Sequence, residues 1–169
     1  MAMHNDINNL VYDTIEEYLQ AARVCITSNK SDGGCYGMAA LVLLASAIDA
    51  MGTYYRSGGT YSFLPNTSSD WKKELGAVIN HYQNIYNAYF VNKQAFKDLN
   101  EFKTIFYEEY RCHAVHNAMI TQSNVLSVAG DTGKPVITDS NGIRYLYIDR
   151  LYHVVNVVFQ EFKNYHPIK

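Results

Sequence analysis

Between Met38 and Ile48 the chain is apolar apart from Ser46. An 11-residue stretch is too short to span a bilayer, which takes roughly 20 apolar residues. As a helix it is hydrophobic on every side, and such a helix belongs in the middle of a bundle. The spacing predicts a helix from about Cys35 to Tyr55, with Ala39, Ala40, Ala45, Ala47 and Gly52 small enough to let neighbouring helices approach. Asp49 lies near the end of this helix. A carboxylate in such surroundings needs a partner. Arg111 is a candidate, beside a backbone amide or water.

The flanking sequence supplies the rest of the bundle. Ile7, Leu10, Val11, Ile15, Tyr18, Leu19, Ala22 and Ile26 recur at helical spacing, followed by a loop at Asn29 to Gly34. Asp70 can cap a third helix carrying Leu75, Val78, Ile79, Tyr82, Tyr86 and Tyr89. A fourth begins near Phe96 and runs through Phe102, Ile105 and Phe106 into an Arg-His segment. After Thr121 the pattern shifts to short strands at Asn124 to Ala129, Pro135 to Thr138 and Ile143 to Ile148, separated by Gly- and Asp-rich turns. A last helix, about Asp149 to Tyr165, presents Leu151, Val154, Val155, Val158, Phe159 and Phe162. The expected fold is mainly α: an antiparallel bundle of about five helices, with a small β-hairpin or meander at about 124–148 before the last helix. Residues 1–169 are expected to form a single domain.

Charge and cysteine content narrow the function. The net charge of −2 excludes an extended basic groove, so any RNA contact must be local or assembled at a dimer interface. Three cysteines, Cys25, Cys35 and Cys112, show no metal-type spacing and fit a reducing cytoplasm better than a disulfide scaffold. With a polar N-terminal stretch and no membrane-length run, the expectation is a soluble cytoplasmic protein without a membrane partner. The 15 tyrosines are read as half-buried packing residues rather than a base-stacking surface.

Chemistry concentrates in Tyr107-Glu108-Glu109-Tyr110-Arg111-Cys112-His113-Ala114-Val115-His116-Asn117. Arginine can clamp a phosphate, and histidine moves protons near neutral pH. Glu109, His113 and His116 fall at i, i+4 and i+7 and would stack on one face of an ideal helix. Arg111 and His116, at i and i+5, stand roughly 140° apart on such a helix. They converge only if the segment bends, begins a helix, or faces a second copy. A metal alternative uses Glu109, His113 and His116, with Asp49 or His81 as a fourth ligand. The structural alternative makes Arg111 the counter-ion of Asp49 and the histidines hydrogen-bonded core residues.

Tyr110-Arg111-Cys112-His113-Ala114-Val115-His116-Asn117 resembles the Arg-x(4-6)-His motif of the HEPN superfamily of small helical bundles. The apolar helix ending Ala45-Ser46-Ala47-Ile48-Asp49-Ala50-Met51-Gly52 resembles that family's central helix, where a polar residue commonly faces the motif. The likeness extends in general layout over about residues 5–165 and in detail over these two segments. It implies a homodimer with the motifs meeting at its interface, an RNA substrate, no cofactor, and an antitoxin-like protein as a plausible partner. On this resemblance Arg111 and His116 are the catalytic pair, and Asp49, Glu109, His113 and Asn117 support them. Cys112 stands where catalytic members typically carry Asn, Asp or His, and His113 is the candidate to substitute. Relatives that keep the bundle without catalysis serve as dimerisation or binding modules.

Overall fold

The computed structural model describes residues 7–54, 85–90, 99–117, 119–120, 122–128 and 134–165. Among them are five helices and three strands. Helix α1 is Ile7–Thr27 and α2 is Gly37–Tyr54. Helix α3 is the π-wound Tyr86–Phe90. Helix α4 comprises Leu99–Glu101, the π-wound Phe102–Cys112 and the α-helical His113–Asn117. Strands β1 (Asn124–Ser127), β2 (Val136–Thr138) and β3 (Arg144–Tyr147) precede α5, Ile148–Tyr165. The expected mainly α bundle with a small sheet before its last helix is the observed architecture. Most of the expected third helix, Asp70 and Tyr82 included, lies outside the described residues.

Helix α2 occupies the centre. Ala40, Leu41, Leu44, Ala47, Ile48 and Met51 have no solvent exposure, and α2 packs against α1, α4, α5 and β1. Its all-round apolar sequence is what a helix covered on several sides requires. Helix α1 contributes one stripe, Val11, Ile15, Leu19 and Ala22, while Glu16 and Glu17 face solvent. Helix α5 does the same with Leu151, Val155, Val158, Phe159 and Phe162. These residues join those of α3, α4 and β3 in one hydrophobic cluster.

Aromatic rings knit α3 to α4. The ring of Phe102 lies 5.2 Å from that of Tyr86, 5.0 Å from Phe90 and 5.7 Å from Phe106. Tyr89 meets Phe162 of α5 at 6.1 Å. Tyr86, Tyr89 and Tyr110 are buried, and Tyr12, Tyr18, Tyr107 and Tyr152 pack partly buried against the core. At these positions tyrosine serves packing, as the sequence reading favoured.

The sheet contains the expected hairpin, β2–β3, with β1 added on the other side of β3. Its order is β1-β3-β2, with β2 antiparallel to β3 and β1 parallel to β3. The β2–β3 turn follows from local chemistry. Asp139 Oδ1 accepts hydrogen bonds from the amides of Asn141 at 2.8 Å and Ile143 at 2.9 Å, and Gly142 takes φ 79°. Placing β3 centrally buries Leu146 completely and sets Arg144 beside α4. Strand β1 then crosses above the start of α2, where a Cβ on Gly37 would come within 3.0 Å of Leu126 Cδ2. Gly37 is what permits that approach.

Phe102 is fully buried at the meeting of three aromatic rings. Phe102→Ala should therefore lower unfolding stability by about 3–5 kcal/mol in a urea titration. Val24→Ala, at a position 61% exposed, should stay within about 0.5 kcal/mol of wild type.

Candidate functional site

The Arg-His segment occupies the C-terminal half of α4. Phe102, Ile105, Phe106, Tyr110 and Ala114 face the core, so the intervening polar residues lie along its flanks. A π-helix closes its hydrogen bonds five residues apart and takes more residues per turn than an α-helix. Such winding is usually confined to a single turn and is frequent at functional sites. Here it spans 11 residues, from Phe102 to Cys112. Glu109, His113 and His116 therefore do not lie on the one uniform α-helix that their i, i+4, i+7 spacing assumed.

Arg111 turns toward α2. Its Nη2 donates to Asp49 Oδ2 at 2.7 Å and its Nε to the same oxygen at 3.2 Å. The side chains are 17% and 25% exposed, so water screens the pair only in part. The guanidinium also lies 5.5 Å from the ring centroid of Tyr107, one turn earlier, a cation–π distance. Burial pushes the Tyr107 phenol above the ordinary tyrosine range. Cys112 and Asp49 add to that rise, and Arg111 opposes it. The partner that Asp49 needed is thus Arg111, one of the candidates named by the sequence.

Glu109 turns toward the sheet. Its Oε2 accepts a hydrogen bond from Asn124 Nδ2 of β1 at 3.1 Å and forms an ion pair with Arg144 Nη1 of β3. In addition the Tyr110 hydroxyl donates to the Arg144 carbonyl at 3.3 Å. Burial carries the Tyr110 phenol well above the usual tyrosine range, so it stays a donor. Sequence reasoning missed Arg144 and Asn124. The signal was available: alternation along β3 puts Arg144 on the same face as Leu146, and a cation on an inward face requires a counter-charge.

The remaining predicted residues are placed as follows. His113 is half-buried at the return to α-helix, where its amide donates to the Tyr110 carbonyl and its own carbonyl accepts from the Met119 amide at 3.4 Å. Cys112 is a half-buried free thiol. His116 and Asn117 belong to the last turn of α4. Their side chains, and His81, lie outside the described residues. Among the described residues no group of three His, Cys, Asp or Glu is arranged to hold a metal. Nor is any helix long and apolar enough to cross a membrane. Val115 and Met119, on and just after the last turn of α4, are 44% and 55% exposed.

The local chemistry is a cation oriented by a carboxylate, with histidines within five residues of it along the helix. A scan against protein-family models finds no match, and neither the curated proteins nor the solved structures show a match to this chain.

Glu109→Ala should remove the joint between α4 and the sheet. The expected loss is about 1–3 kcal/mol of unfolding stability, the cost of removing an acceptor that two donors share. Hydrogen exchange should quicken at the β1 and β3 amides before it quickens in α2.

Proposed function

We propose that the chain is a metal-independent endoribonuclease of the HEPN type, acting in the cytoplasm as a homodimer. The observation that carries the reading is the Asp49–Arg111 pair. A polar residue of the central apolar helix meets the arginine of the Arg-x4-His motif, as the resemblance implied, and fixes the guanidinium by two donors on one oxygen.

In this reading Arg111 holds the scissile phosphate and stabilises the charge that grows on it. His116 serves as general base on the ribose 2′-hydroxyl or as general acid to the leaving oxygen. The 2′-oxygen bonds to phosphorus as the bond to the 5′-oxygen breaks. The 2′-hydroxyl proton passes to the base, and the 5′-oxygen gains one from the acid. The product is a 2′,3′-cyclic phosphate, which water opens to a 3′-phosphate. Asp49 and Tyr107 position the guanidinium, and His113 substitutes for the polar residue that Cys112 displaces. Glu109 acts through the sheet, and Asn117 completes the motif. The five-residue separation of Arg111 and His116 favours a site shared between two copies. The exposed Val115 and Met119 support a second copy at this end of α4. An antitoxin-like protein that covers the same end is the partner this reading implies.

A second reading is favoured by the same contact. A guanidinium already neutralised by a carboxylate has less attraction for phosphate, which fits a non-catalytic dimerisation or binding module of the same type. A metal-binding bundle ranks behind both, since Glu109 is engaged by Arg144 and Asn124.

The test is cleavage of varied RNAs with EDTA present. Catalysis predicts activity that survives the chelator and falls at least ~100-fold in His116→Ala and in Arg111→Ala, with circular dichroism unchanged. Wild-type turnover undiminished in His116→Ala would overturn the assignment. A folded dimer with no cleavage would leave the binding module.

A further inference from the structure

We infer that Cys25 and Cys35 are a reversible dithiol–disulfide pair, an oxidation site that takes a low-molecular-weight disulfide such as glutathione disulfide and staples α1 to α2. The inference is independent of the ribonuclease reading. The two cysteines flank the chain reversal between α1 and α2. The turn is closed by the Lys30 amide, which donates to the Gly34 carbonyl at 2.9 Å, and the Gly33 amide, which donates to the Lys30 carbonyl at 3.1 Å. Outside it Asn29 and Cys35 form an antiparallel bridge. Beyond that bridge the Tyr36 amide donates to the Cys25 carbonyl at 3.0 Å. Backbones paired in this way lie about 5 Å apart. A disulfide joins Cα atoms roughly 4.4–6.8 Å apart. Cys35 is bonded directly to Tyr36, so the backbone holds the two cysteines near that range.

The side chains stand on either side of the junction. Cys25 follows buried Ala22 by three residues, which puts it on the stripe that α1 turns to the bundle, and it packs partly buried against the core. The Sγ of Cys35 lies 3.8 Å from where a Cβ on Gly37 would stand, at the start of α2. Cys35 also lines a cleft of about 660 Å³ and is open to a small reagent from that side. Both residues are free, half-buried thiols. Cys112 belongs to a different setting, beside Tyr107 of α4.

The chemistry is thiol–disulfide exchange, in which a thiolate attacks a disulfide sulfur. Cys35 attacks one sulfur of glutathione disulfide. A bond forms between Cys35 Sγ and that sulfur, and one glutathione thiolate leaves. Cys25 then attacks Cys35 Sγ, the Sγ–Sγ bond forms, and the second glutathione thiolate leaves. The protons lost by the two cysteines end on the two glutathiones. The protein is oxidised by two electrons, and the reagent is reduced by two. The product ties the end of α1 to the start of the central helix and restricts the unfolded chain.

The test incubates the full-length protein with glutathione disulfide, alkylates the remaining thiols and digests with trypsin without reductant. Cleavage after Arg23, Lys30 and Arg56 puts the two cysteines on separate peptides, so only a bond between them joins residues 24–30 to residues 31–56. The expected main product is that linked pair, with Cys112 alkylated and the bond reversed by dithiothreitol. Cys25→Ser should instead trap a glutathione adduct on Cys35. The Tm of the oxidised wild type should rise by about 5 °C or more. A wild-type adduct that persists on Cys35 while Cys25 is alkylated would overturn the proposal. So would a bond that involves Cys112, or no oxidised product at all. A linked protein that melts below the reduced one would overturn it too, because the bond would then require the α1–α2 connection to open.

Discussion

Helix α4 is fixed from two sides by charges of opposite sign two residues apart. Arg111 reaches α2 through Asp49, and Glu109 reaches β1 and β3 through Asn124 and Arg144. Everything else at this end of the molecule depends on that double attachment. The apolar face of α4 sets its depth in the core, but burial is non-directional and permits sliding or rotation. Hydrogen-bonded ion pairs fix direction. Each partly buried pair is screened in part by water and contributes modestly by itself. Their value lies in holding one helix in a single rotation between two unlike partners.

This arrangement also sets the tension in the functional reading. The carboxylate that orients Arg111 offsets its positive field, so on the ribonuclease proposal an RNA phosphate would have to compete with Asp49. An oriented guanidinium with a histidine further along the helix can serve phosphoryl chemistry. The same guanidinium, tightly engaged, can serve the fold alone. On that proposal, the net charge of −2 requires RNA affinity to come from few contacts.

Much of this was legible because it rests on periodicity and local chemistry. The Met38–Ile48 run, apolar but for Ser46, announced a central helix, the single stripes of α1 and α5 announced outer ones, and Asp139-Ser140-Asn141-Gly142 announced the β2–β3 turn. Asp49 advertised its need for a cation by its place in an apolar helix. Other features depend on long-range register. Nothing near β1 in sequence says that it joins β3 in parallel, and the Glu109–Arg144 contact spans 35 residues and exists only because of that register. The π winding of α4 was also hidden, since side-chain pattern alone does not distinguish four- from five-residue closure over a short segment. It changes which residues of the motif share a face, and a face-by-face reading of Glu109, His113 and His116 was the part of the site most exposed to it.

The central claim is that Asp49 and Arg111 act as one coupled unit joining α2 to α4. A double-mutant cycle with Asp49→Ala, Arg111→Ala and the double variant, read by urea unfolding, tests it most directly. Coupling predicts that the double variant loses less stability than the two single variants added together, by about 1–3 kcal/mol, because each single change already removes the contact the two share. Losses that add within about 0.3–0.5 kcal/mol would contradict it, and would mean that α4 is held by its apolar face and the sheet alone.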